Sequence, residues 1–156
     1  MYNNIDKKTR NLPLDEFKIA IQKHLKPPRY KHFNTGSKLG CALMTRIRVG
    51  RSYLNAHSYS IGLAPENTCK CNDRDQETPL HFITTCTIFT DHRSTLFTQI
   101  EQFIPNFKKL AKKRQYEILM YGYEIDNVEL TKINRKILLA TQNYIFKTKR
   151  FPEHPL

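Results

Sequence analysis

The stretch Cys69-Lys-Cys71-Asn-Asp-Arg-Asp-Gln-Glu-Thr-Pro-Leu-His81-Phe-Ile-Thr-Thr-Cys86 sets three thiols and one imidazole in a single short run. Its pattern is C-x-C, nine residues, H, four residues, C. Three thiolates and a neutral imidazole can fill all four positions of a tetrahedral Zn²⁺ site. Cys69, Cys71, His81 and Cys86 are therefore the candidate metal ligands. Two cysteines one residue apart can present both sulfurs on one side of a turn, and the Asn/Asp-rich connector supplies turn chemistry. Thr78-Pro79 predicts a helix start, with Thr78 as N-cap and proline at the first helical position, which puts His81 in the first turn.

His81 and Cys86 lie five positions apart, about 140° around a regular helix. They share an ion only if the helix ends or distorts before Cys86, and the β-branched pair Thr84-Thr85 favours such an ending. The competing readings are buried thiols beside an unrelated histidine, or a disulfide. Cys69 and Cys71 are poor disulfide partners for each other. The sequence opens on Met-Tyr-Asn-Asn-Ile-Asp-Lys-Lys, which lacks the apolar core of a signal peptide. The expectation is an intracellular protein of nucleus or cytoplasm, not secreted, where close cysteines more often hold metal than pair.

The flanking residues carry a resemblance. Arg46-Ile-Arg48-Val-Gly50, Leu54-Asn-Ala-His57 and Ile61-Gly62-Leu63-Ala64, followed by the Cys/His run and Arg93, resemble the C-terminal zinc-binding region of non-LTR retrotransposon reverse transcriptases. Glu77-Thr-Pro-Leu-His81-Phe is similar to the Glu-Thr-Pro-Glu-His-Phe-Leu of that family's knuckle. The likeness covers roughly residues 39–97 and rests on order and spacing together. It implies a structural zinc, binding of element RNA or target DNA, and a polymerase domain of a parent element as a possible partner.

Away from the run, charge dominates. The chain of 156 residues carries 26 Lys+Arg against 14 Asp+Glu, net +12, and so small a protein with that excess suits a polyanionic partner, RNA or DNA. No apolar run approaches the length needed to span a membrane, so no membrane partner is expected. The expected phosphate contacts are Arg46, Arg48 and Arg51, together with Lys108, Lys109, Lys112, Lys113 and Arg114 in the densest basic run.

Helical periodicity runs through most of the chain. Leu14, Phe17, Ile21 and Leu25 form a stripe between Pro13 and Pro27, followed by the basic, aromatic linker 29–33. Ser37 caps a predicted helix reaching Val49, with Leu39, Leu43 and Ile47 inward and Gly50 closing it. Cys41 on that helix reads as a small buried thiol outside the metal set. A short helix after Ser52 stops at Gly62, and its His57 reads as a hydrogen-bonded structural residue. Thr90 or Asp91 is expected to cap a helix carrying Leu96, Phe97, Ile100 and Phe103 as far as Pro105. The basic run should open a further helix with Tyr116, Leu119 and Met120, ending at Gly122. Asn127 should cap the longest helix, whose stripe is Leu130, Ile133, Ile137, Ala140 and Tyr144. Lys132, Arg135, Lys136, Lys147, Lys149 and Arg150 decorate its remaining surface.

The predicted class is mostly α, a small helical domain with a zinc-knuckle-like loop-helix insert and room for one small ribbon. Three regions are expected: 1–36, a basic segment and helix; 37–97, the helical lead-in and knuckle; 98–156, the C-terminal helices. The sequence shows no Tyr-x-Asp-Asp or other paired-carboxylate polymerase signature, no Gly-rich phosphate loop and no Ser/His/Asp set. The run also lacks the glutamate of zinc deaminases. The expectation is a non-catalytic zinc-binding, nucleic-acid-binding module; the alternative is a zinc-stabilised helical protein–protein interaction module.

Overall fold

The computed structural model describes residues 35–71, 74–123 and 128–151, with side chains of the last segment from 131 onward. The helix expected over 13–26, the linker 29–33 and the cap at Asn127 lie outside these residues. Among the described residues the protein is helical: α1 Lys38–Arg48, α2 Asn55–Ser60, α3 Pro79–Thr84, α4 Thr90–Glu101, α5 Lys112–Tyr121 and α6 Val128–Lys147. The only β-pairing among them is an isolated antiparallel bridge between Thr68 and Gln76, at the base of the knuckle.

Local chemistry sets most helix ends. Ser37 accepts the Gly40 N–H at 2.9 Å and starts α1, while Val49 and a left-handed Gly50 (φ 70°) close it. Thr78 accepts the His81 N–H at 3.1 Å, with Pro79 at the first position of α3. Neither Thr90 nor Asp91 caps α4. A 3₁₀ turn over Thr87–Phe89 leads directly into it, and the Thr90 hydroxyl donates back to the Thr87 carbonyl at 2.9 Å. The basic run also divides. Lys108 and Lys109 sit in a 3₁₀ turn after a left-handed Asn106, Leu110 is extended, and α5 begins only at Lys112. The buried Gln115 amide fixes this break by donating to the carbonyls of Phe107 (3.2 Å) and Lys108 (3.1 Å).

Helix α6 packs against α1, α4 and α5, and α3 packs against α5. One apolar core runs through Leu43 and Ile47 of α1, Phe82 of α3, Leu96 and Ile100 of α4, Ile118 of α5 and Ile137 of α6. The buried face of α6 is not purely apolar. Asn134, Thr141 and Gln142 are buried with Leu138 and Ile145, each polar group satisfied as burial requires. Asn134 clamps the segment after α5, accepting from Tyr123 N–H at 2.6 Å and donating to its carbonyl at 3.0 Å. Gln142 donates to the Thr35 carbonyl at 2.7 Å and lies so close to Gly40 that a β-carbon there would overlap its amide. That close approach is what lets α1 sit on α6.

Phe82, next to His81, is the centre of an aromatic cluster. Its ring lies 5.4 Å from Phe89, 5.5 Å from Tyr144 and 5.4 Å from Phe151, the Phe89 and Phe151 contacts edge-to-face. Such pairs contribute about 0.5–1.5 kcal/mol each beyond area burial. The Tyr144 hydroxyl also donates to the Phe82 carbonyl at 2.8 Å. The knuckle helix and the end of α6 thus share one packing unit.

Candidate metal centre

The backbone around Cys69 and Cys71 forms a tight reversal. Glu77 N–H donates to the Asn67 carbonyl (2.9 Å) and Cys69 N–H to Asp75 (2.7 Å), while Arg74, left-handed at φ 50°, donates to Cys71 (3.3 Å). The two thiols are delivered from one arm of this hairpin and His81 from the first turn of α3. The angular problem of Cys86 is solved by the helix ending. Both Thr85 N–H (3.0 Å) and Cys86 N–H (2.8 Å) donate to the His81 carbonyl, and Cys86 has left helical geometry at φ −50°, ψ 122°. The chain folds back over the last turn and returns the Cys86 sulfur to the imidazole.

All four ligand atoms lie within 4.8 Å of one another, and all four residues are buried. Cys69 Sγ is 3.6 Å from Cys86 Sγ, and Cys71 Sγ is 3.4 Å from His81 Nε2. A tetrahedral ion bound at ordinary Zn–S and Zn–N lengths would hold such pairs about 3.8 and 3.6 Å apart. The set therefore fits one tetrahedral ion, and no disulfide joins any of these cysteines. Cys41, whose thiol donates to the Thr35 carbonyl at 3.4 Å, stands outside the group.

The surroundings prepare His81 as a ligand. Its Nδ1 faces the Thr85 hydroxyl at 3.1 Å, with the Asp75 carboxylate at 3.6 Å. Because that hydroxyl donates to the His81 carbonyl (3.3 Å), its lone pair accepts from Nδ1–H, and the Nε2 lone pair is left facing the sulfurs. Burial pushes the Cys69 thiol up to about 12 and raises Cys86 as well. Without an ion these thiols keep their protons, and an ion must displace them.

Two arginines brace the site. Arg93, 9% exposed, donates to the Cys86 carbonyl at 2.6 Å and the Thr85 carbonyl at 3.5 Å. Arg150 grips Glu77, which is only 4% exposed. That carboxylate also accepts the Asn55 N–H at 2.7 Å, so a knuckle residue caps α2. Sequence reasoning placed Arg150 among surface cations and gave Glu77 no role beyond opening the Glu-Thr-Pro-Leu-His-Phe resemblance. Its place in that resemblance, directly before the Thr78-Pro79 helix start, was the signal for Glu77; Arg150 had none. His57 is structural as expected, its Nδ1 lying 2.6 Å from the Ser52 carbonyl.

The eight expected phosphate contacts occupy varied settings. Arg48 donates to the Met120 carbonyl at the end of α5 (2.7 Å) and is partly buried, which lowers its pKa. Arg46 lies over the Tyr53 ring at 5.7 Å, with one buried guanidinium nitrogen lacking a partner. Lys108 pairs with Glu101 (3.0 Å) and Arg114 with Glu117 (3.5 Å). Arg51, Lys109, Lys112 and Lys113 are exposed, and Lys112 borders a shallow cleft beside His81 and Asp75.

No protein-family model, curated protein or solved structure matches the chain. What the site can do rests on its own chemistry, a buried Cys₃His group that can hold a metal ion. Among the described residues no helix is long and apolar enough to cross a membrane.

Proposed function

We propose that this protein is a non-catalytic module in which one structural zinc, held by Cys69, Cys71, His81 and Cys86, fixes the knuckle while the basic surface binds nucleic acid. The observation that carries the metal reading is the convergence of four buried ligand atoms within 4.8 Å. Thiolate-rich tetrahedral sets with one imidazole favour Zn²⁺. With all four residues bound, no position is left for an activated water, so the ion's contribution is to folding. The net charge of +12 supports the nucleic-acid partner. The reading also includes a reducing intracellular setting and a likeness to the tail of a retroelement polymerase, whose polymerase domain would be a further partner.

Metal analysis of purified protein tests the first half, with one zinc per chain expected. Titration against labelled RNA and DNA over a range of salt tests the second. A steep loss of affinity with salt supports phosphate contacts. A second reading, a protein-interaction module, is favoured by the exposed apolar run of Tyr59, Ile61 and Leu63, the last 73% exposed. It predicts no salt-dependent nucleic-acid binding, and a protein partner that Leu63→Asp no longer binds.

A further inference from the structure

The solvent side of α6 is a continuous arc rather than a scatter of decorating charges. Lys132, Arg135, Lys136, Leu139, Asn143, Phe146 and Lys147 are all exposed, and at about 100° per residue they fall within roughly 120° of the helix circumference. From Lys132 to Lys147 the arc runs about 22 Å. Residues 130–150 contain six Lys or Arg and no carboxylate. Two features mark this surface. Leu139 and Phe146 stand among the cations, 42% and 38% exposed, and a small donor-lined groove of about 60 Å³ borders the arc. That groove lies between α4 and α6 and is lined by His92, Thr95, Gln99, Asn143 and Lys147, with no acidic residue in its lining. Lys136 is held on the α4 side of the arc, its ammonium 5.1 Å from the Phe103 ring centroid.

We propose that this face of α6, with the α4–α6 groove, is the track for a single-stranded nucleic acid. Cations and groove donors follow the phosphates, and Phe146 gives a base a surface to stack on. A duplex keeps its bases paired and would leave Phe146 unused, whereas charge interleaved with an exposed ring suits an unpaired strand. In the basic run Lys108 pairs with Glu101 and Arg114 with Glu117. The inference rests on the nucleic-acid reading above and adds the surface and the strandedness.

The test uses the metal-loaded full chain, labelled poly(dT) and a duplex of mixed sequence. The variant Arg135→Gln/Lys136→Gln/Lys147→Gln removes three cations from exposed positions, and circular dichroism checks that it folds. Three single-strand phosphate contacts contribute about 0.7 each to the salt slope. The expected result is a slope smaller by about 2 and poly(dT) affinity roughly 100-fold lower at about 0.1 M salt. Phe146→Ala should lower affinity about tenfold with the slope unchanged, and Phe146→Trp should restore it. A control, Lys109→Gln/Lys112→Gln/Lys113→Gln, should keep most of the binding. The proposal is overturned if the control loses binding while the α6 variant matches wild type, or if wild type prefers the duplex. Wild type binding neither probe at low salt would remove the nucleic-acid reading itself.

Discussion

Arg150 holds the buried carboxylate of Glu77 in a two-pronged grip, Nε to Oε1 and Nη2 to Oε2, each at 2.6 Å, across 73 positions of sequence. The same guanidinium donates to the Tyr53 carbonyl (3.1 Å) and to Asn55 Oδ1 (3.3 Å). One side chain beyond α6 thus joins the knuckle, the entry to α2 and the end of α6.

Removing Arg150 leaves the Glu77 carboxyl enclosed without its guanidinium partner. Arg150→Ala should destabilise the metal-loaded protein by roughly 3 kcal/mol, the range for breaking a largely buried pair. Arg150→Lys should recover little of it, because an ammonium cannot match the bidentate geometry. Urea denaturation reads both, and a change under about 0.5 kcal/mol for Arg150→Ala, typical of an ordinary surface substitution, would contradict the role given to this pair.

Metal removal should loosen more than a loop. Cys71→Ser leaves three ligands, and the expected loss of hydrogen-exchange protection covers residues 67–86 and extends to the segment around Tyr144 and Phe151, which packs on Phe82. The α1–α6 contact at Gly40 and Gln142 should stay protected. Cys41→Ser should leave metal content unchanged. Loss confined to 67–86 would show that the Phe82 cluster does not transmit the metal's contribution.

Two opposite pH responses are expected. In the metal-free protein the Cys69 thiol is raised to about 12 from its ordinary 9.0. Its contribution to stability is therefore complete below about pH 9 and declines as pH rises from there towards 12, because the unfolded chain loses that proton first. Metal affinity runs the other way and should rise from pH 6 to 9 as fewer protons compete for the sulfurs. Thermal unfolding with chelator, and competition against a zinc indicator, separate the two.

Gly40→Ala should destabilise, although alanine is the better helix former by about 1 kcal/mol. The new methyl meets the Gln142 amide, which is buried and hydrogen-bonded to Thr35 and has little room to swing aside. A net loss of about 1–3 kcal/mol is expected. Combining it with Gln142→Ala should cost less than the two single changes added together. Additive losses would place the strain elsewhere.

Much of the site was legible because its determinants are local. The four ligands, the Thr78-Pro79 start and the need for α3 to stop before Cys86 all follow from spacing within one run. The helix ends at Ser37, Gly50, Gly62 and Gly122 were equally visible, since caps and left-handed glycines act over a few residues. Distant pairings were not. Nothing in local pattern links Arg150 to Glu77 or Tyr144 to Phe82. Apolar periodicity also passes over Asn134, Thr141 and Gln142, which are buried because each finds a hydrogen-bond partner. The break at Leu110 has no local signal because it depends on Gln115 reaching back to two carbonyls.

The spacing of the ligands has a bearing on when each part of the molecule can form. Cys69 and Cys86, the outermost ligands, are 17 positions apart, a short loop to close, whereas the Glu77 carboxylate meets its guanidinium only across 73. During synthesis the four ligands leave the ribosome together, well before Arg150 and Phe151. If the Cys₃His group takes an ion, it can do so in a nascent knuckle, before the chain beyond α6 arrives to close on Glu77. On this order the last contact to form is the one that encloses the Glu77 carboxylate.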